Sequence, residues 1–130
     1  MNIAIVILKF IFNISILLLI IISLYPGSLV GFILYDDISR ELDFINNPAG
    51  TAINHFIYFF YVSTLGLCLY LRNKNFKKFV YGLFFLSITL EILHLIVPNR
   101  AFELGDLIGN FLGVLVAYFL VRVYLHFSKP

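Results

Sequence analysis

Residues 3–24 form an apolar run in which only Lys9 and Asn13 are strongly polar, and three further apolar runs follow at 51–71, 79–97 and 105–124. A helix needs about 20 apolar residues to cross the hydrocarbon of a bilayer. Backbone in lipid must satisfy its own hydrogen bonds, so helices are the natural solution for runs of this length. The composition agrees: the chain is 62% hydrophobic and 12% charged, against about 45–50% apolar and about 25% charged in soluble domains. The expectation is an all-α membrane protein, a four-helix transmembrane bundle in a single domain spanning residues 1–130. The first run lacks a small-residue cleavage signature and is followed by Tyr25, Pro26 and Gly27, a turn, so it reads as a retained span and not as a signal peptide.

Between the first two spans, residues 29–45 place Leu34, Ile38, Leu42 and Ile45 at helical spacing, with Asp37, Arg40 and Glu41 largely opposite. This predicts an amphipathic segment lying at the interface. Asp36 and Arg40 stand i,i+4 in the favourable order, and Asn46, Asn47 and Pro48 end the segment. The connection at 72–78 carries Arg72, Lys74, Lys77 and Lys78 and no acid, and Arg122 and Lys129 flank the end of the last span. The positive-inside rule puts these in the cytoplasm. Both termini are then cytoplasmic, and the other two connections face outward.

Against this apolar background the polar residues concentrate at the outward ends of the later spans. Ser87, Glu91 and His94 lie at i, i+4 and i+7, on one helix stripe, and Glu91 sits about 10 Å inward of Pro98 at about 1.5 Å per residue. Asp106 and Asn110 are i,i+4 on the fourth span, Asn54, His55 and Tyr58 lie near the outer end of the second, and Arg100 sits in the connection between spans three and four. A charge at the centre of a spanning helix costs about 2.5–3.5 kcal/mol on insertion scales, so such groups usually pair or face a wet cavity. Three helices and a loop converge on one outward-opening pocket. Glu91, His55 and Asp106 are the candidate catalytic groups, and Arg100, Asn110 and His94 the candidate substrate contacts. Each has a structural alternative: Glu91 or Asp106 paired with Arg100, His55 a neutral imidazole on a backbone carbonyl, Asn110 an interhelical hydrogen-bonder.

The Glu91-x-x-His94 spacing is half of a di-iron bundle motif, which requires a second copy and two further glutamates. They are missing, so neither a metal nor a cofactor is expected. A mononuclear site built from Glu91, His94, His55 and Asp106 is the geometric alternative. Gly105, Gly109, Gly113 and Ala117 recur every four residues, a small-residue stripe that lets another backbone approach closely, within the chain or between chains. Self-association or a protein partner through Gly105, Gly109 and Gly113 is therefore one expectation. Cys68 is a lone cysteine in an apolar run and excludes an intramolecular disulfide. No phosphate-binding loop, nucleophile elbow or HExxH motif is present, and no basic, aromatic-interleaved patch suits nucleic acid.

The order His55, Glu91, Pro98, Arg100, Asp106, Asn110, Gly113 resembles the VanZ-like family of small bacterial membrane proteins. That family carries a histidine at the start of one span, then Glu-x-x-Gln and Pro-x-Arg, then Asp-x(3)-Asn-x-x-Gly. The resemblance covers residues 51–117. Two departures stand out: His94 occupies the usual glutamine position, and Thr51 and Ala52 replace an Asp-Lys pair before the histidine. The resemblance implies a multi-pass protein of the bacterial inner membrane with an envelope role, in a family associated with low-level teicoplanin resistance.

Two functions are compatible with these residues. In the first, the pocket binds or modifies an envelope lipid or cell-wall component, with membrane lipids as surroundings. In the second, the chain is a non-enzymatic helical partner of a larger envelope protein and its polar residues are structural.

Overall fold

A computed structural model describes residues 3–41 and 50–128, and every regular element among them is a helix: α1 (Ile3–Leu24), α2 (Leu29–Tyr35), α3 (Ala52–Tyr70), α4 (Phe76–Leu93) and α5 (Leu104–Phe127). Three of these, α1, α3 and α5, are long and apolar enough to cross a membrane. The fourth, α4, has 18 residues and carries Lys77, Lys78 and Glu91, so length and composition alone do not count it as a span. It also ends four residues short of the apolar run that begins it. The amides of His94, Leu95 and Ile96 bond the carbonyls three residues back, a 3₁₀ tightening that closes the helix. Pro98, which cannot donate, then stands in the turn that follows.

The connection after α1 departs from the expected amphipathic helix. Ser28 caps α2, its Oγ accepting the Gly31 amide at 3.0 Å, but the helix lasts only seven residues. Asp36 closes it in the left-handed conformation, φ 54°. Asp37 Oδ1 then accepts both the amide and the hydroxyl of Ser39, and these bonds, the hydroxyl's first, hold the exposed Asp37 carboxyl below the usual carboxylate range. Short polar side chains bonding nearby backbone in this way compete with helix continuation. The i,i+4 pairing of Asp36 with Arg40 is accordingly not made, and the Arg40 guanidinium lies 3.7 Å above the ring of Tyr35. Leu42, Asp43, Ile45, Asn46, Asn47, Pro48 and Lys129 lie outside the described residues.

The core is built from Phe59, Val62 and Leu67 of α3, Val80, Leu83 and Leu90 of α4, and Val114, Ala117 and Val121 of α5. The tightest union is between α3 and α5. A Cβ on Gly109 would collide with the carbonyl of Ala52, and one on Gly113 would lie 2.7 Å from the Phe56 carbonyl and 2.8 Å from the Phe60 amide. Gly109 and Gly113 thus carry the backbone of α3, and this part of the stripe is used within the chain. By contrast α1 buries little beyond Phe12 and Leu19, two turns apart, and leaves most of its apolar surface outward.

Adding one methyl group at these contacts tests the packing. Gly109→Ala and Gly113→Ala should each lose about 1–3 kcal/mol of stability through overpacking. Gly82→Ala, which meets nothing within 4 Å, should melt at or above the unmodified chain when the three are compared by thermal denaturation in detergent.

Candidate functional site

The polar residues that the sequence scatters between Thr51 and Asn110 come together at one end of the bundle because each sits within two turns of a helix end. Thr51 and His55 open α3, Glu91 and His94 close α4, and Asp106 and Asn110 open α5. The close approach of α5 to α3 presses these turns together. Ser87, Glu91, His94, Asp106 and Asn110 are all buried, and Glu91 is fully so.

The hydrogen-bond partners fix proton positions. Asn110 directs Nδ2 at two acceptors, Ser87 O and Glu91 Oε2, each at 3.4 Å. Its Oδ1 therefore faces His55 Nδ1, 3.0 Å away, and that nitrogen carries the proton. The other ring nitrogen of His55, Nε2, points at Asp106 Oδ2 at 3.3 Å. Asp106 is held in turn by the Thr51 hydroxyl, at 3.0 and 3.2 Å to its two oxygens. On the other side His94 Nε2 donates to the Ser23 carbonyl at 3.0 Å, which leaves its Nδ1 facing Glu91 Oε1 at 3.2 Å. The Glu103 amide also donates to Glu91 Oε1, at 3.1 Å. Two imidazole–carboxylate dyads result, His55–Asp106 and His94–Glu91, joined through Asn110.

Arg100 is elsewhere than expected. It makes an ion pair with Glu41 at 3.2 Å, and its Nη2 and Nε donate to the carbonyls of Ile22 and Tyr25. Neither Glu91 nor Asp106 is its partner. The last turn of a helix leaves its carbonyls unbonded and favours a cation nearby. α1 supplies no basic residue there, so Arg100 and His94 cap α1 from the α4–α5 connection.

A cavity of about 250 Å³ lies beside the cluster, between α1 and α3. Leu18, Leu19, Ile22 and Val62 form apolar walls, and Thr51, His55, Asn110 and Arg100 form a polar end. Of the six candidates from sequence, His55, Asn110 and Arg100 reach the cavity, while Glu91, His94 and Asp106 stand behind them. Thr51 is a site residue that sequence reasoning passed over as a missing acid–base pair. The signal was its position: a hydroxyl at the start of α3 faces whatever opens α5. Glu41 was likewise not matched with Arg100, because 59 residues separate them and helix periodicity says nothing across a loop. Cys68 lies exposed elsewhere on α3, toward its C-terminal end, and takes no part.

A sequence model of the VanZ/LLP1 family matches residues 3–125, nearly the whole chain. No curated protein and no solved structure gives a significant match.

The geometry separates two double-mutant cycles. Glu91→Gln and His94→Gln should couple by about 0.5–3 kcal/mol, as residues sharing one hydrogen-bond network do. Glu91→Gln and Arg100→Gln should add to within about 0.5 kcal/mol. Thermal or denaturant unfolding of the three single and two double variants reads both, and strong coupling of Glu91 with Arg100 would contradict the partner assignment.

Proposed function

The chain belongs to the VanZ/LLP1 family, and from that premise we propose that it is a multi-pass protein of the bacterial inner membrane whose α1–α3 cavity binds an envelope lipid or lipid-linked cell-wall component from the outer face. The observation that carries this reading is the amphiphilic lining of the cavity: leucine, isoleucine and valine walls ending on His55, Asn110 and Arg100. Ligand sites commonly combine an apolar lining with a few placed polar groups. A volume of about 250 Å³ suits a headgroup with the beginning of its chain, and the exposed apolar face of α1 would carry the remainder in the lipid phase. The His55 ring, held by Asn110 and Asp106, forms part of the wall that such a headgroup would meet. The family's association with teicoplanin resistance fits an envelope role.

The same reading takes α4 as the fourth span. Lys77 and Lys78 lie in its first turn and Glu91 is buried in the bundle, so none of its three charges needs to face hydrocarbon. Eighteen residues reach about 27 Å, close to the roughly 30 Å required. With Arg72, Lys74, Lys77 and Lys78 inside, both termini are cytoplasmic. Reporter fusions after Lys78 and after Pro130 should both give cytoplasmic signals. A reporter on the outer side at Pro130 would mean three spans.

A second reading, in which the polar residues are structural and the chain serves as a partner of a larger envelope protein, is favoured at two positions only, since His94 and Arg100 spend their donors on α1. Lipid binding separates the two. Native mass spectrometry of the purified chain with added phosphatidylglycerol or a polyprenyl phosphate should show a bound lipid that Ser15→Trp, which fills the cavity from α1, removes without lowering the melting temperature. Lipid binding unchanged by Ser15→Trp would place the lipid elsewhere and favour the structural reading.

A further inference from the structure

We propose that His55, Glu91 and Asp106 form a site for one first-row divalent cation, for which Zn²⁺ is the best-matched ion. The sequence argument expected no metal because the di-iron motif is incomplete. It kept a mononuclear site at Glu91, His94, His55 and Asp106 as the alternative, and in the structure three different helices bring one imidazole and two carboxylates of that set together. One ligand atom from each lies within 4.8 Å of the others. His55 Nε2 and Asp106 Oδ2 are 3.3 Å apart, which is the edge of a tetrahedron whose bonds are about 2.0–2.1 Å, the Zn–N and Zn–O lengths.

The surrounding bonds leave the ligand atoms in the right state. A ligating histidine normally donates its other ring N–H to an oxygen acceptor, and a ligating carboxylate is itself hydrogen-bonded. His55 donates Nδ1–H to Asn110 Oδ1, so Nε2, which faces Asp106 Oδ2, is the nitrogen that a metal seated between the two would take. Glu91 has Oε1 occupied by His94 and the Glu103 amide, while Oε2 keeps two longer contacts, to Asn110 Nδ2 at 3.4 Å and His55 Nδ1 at 3.8 Å. Asp106 is oriented by Thr51. Each ligand thus has an outer partner and an inward-facing donor atom, and the outer partners come from residues other than the ligands.

Charge favours the same conclusion. Two carboxylates buried beside one another are costly unless a cation or shared protons neutralise them, and the guanidinium nearest in sequence, Arg100, is spent on Glu41 and α1. A dication supplies that neutralisation. Imidazole selects against Mg²⁺, which prefers all-oxygen, largely hydrated octahedra. Three protein ligands leave a fourth position, and Thr51, His55 and Asn110 link the cluster to the cavity wall.

The test uses the full chain in lipid-free detergent, so that its result does not depend on the lipid reading. After chelator treatment, ZnCl₂ should bind one per chain and raise the melting temperature, because a span of 4.8 Å must contract to seat an ion and binding ties three helix ends together. MgCl₂ at the same concentration should do neither. CoCl₂ should give the intense visible absorption of a tetrahedral site. His55→Gln and Asp106→Asn should abolish all three responses, and His126→Gln should leave them intact. Thr51→Val, a positioning change, should weaken Zn²⁺ binding about 10–100-fold while the Co²⁺ complex that still forms keeps its tetrahedral spectrum. Absence of stoichiometric Zn²⁺ binding by the unmodified chain, absence of the tetrahedral Co²⁺ spectrum, or binding that survives in the His55 and Asp106 variants would overturn the proposal. Should those variants fail to fold, the Co²⁺ spectrum of the unmodified chain decides alone.

Discussion

A side chain on residue 109 would have to occupy the place already held by the carbonyl of Ala52 and, 3.3 Å from the same point, the amide of Phe56. That lack of room brings α5 against α3 with backbone nearly touching backbone, and the polar end of the molecule follows from it. Thr51 and Asp106, His55 and Asp106, and His55 and Asn110 all meet across this one contact. In hydrocarbon, apolar side chains gain little by leaving lipid for each other, so packing and interhelical hydrogen bonds have to hold spanning helices together. The glycines supply the first and position the groups that supply the second.

The long first helix illustrates the complementary problem. α1 buries only a narrow stripe, so its attachment does not come from packed area. Its terminal carbonyls are taken by His94 Nε2 and by Arg100, and His94 is oriented by Glu91, which is fully buried and held from three sides. The cavity wall on the α1 side therefore depends on a carboxylate that never touches the cavity. A change at Glu91 reaches the cavity through His94 and Ser23 and needs no direct contact with a ligand. This explains how a buried carboxylate can matter for binding while remaining, in its contacts, a structural residue.

The two imidazole–carboxylate dyads differ in what faces them. His94 has both nitrogens committed to protein atoms. His55 has one nitrogen committed to Asn110 and the other to a carboxylate that shares its environment with Glu91. His55 is also the one member of the two dyads that lines the cavity.

Helices and their order were legible from the sequence because hydrophobic run length and period are local properties: α1 matches residues 3–24, and α3 and α5 agree with their runs to within a few residues. The ionisable members of the polar cluster were legible as well, since such groups at helix ends in an apolar chain stand out without any knowledge of contacts, whereas the Thr51 hydroxyl was not. Asn110 is the interhelical hydrogen-bonder that its position suggested. Who pairs with whom was not legible. Arg100, for which Glu91 or Asp106 was the alternative to a substrate contact, lies instead on Glu41 and the end of α1, and Asp36 leaves Arg40 to the ring of Tyr35. A pairing is decided by distances between segments far apart in the chain, which run length, period and composition do not encode. The sequence determined which side chains must be hidden from lipid; the approach of α5 to α3 and the capping of α1 decided which partner each one found, because a hydrogen bond is made only where tertiary packing brings donor and acceptor to about 3 Å.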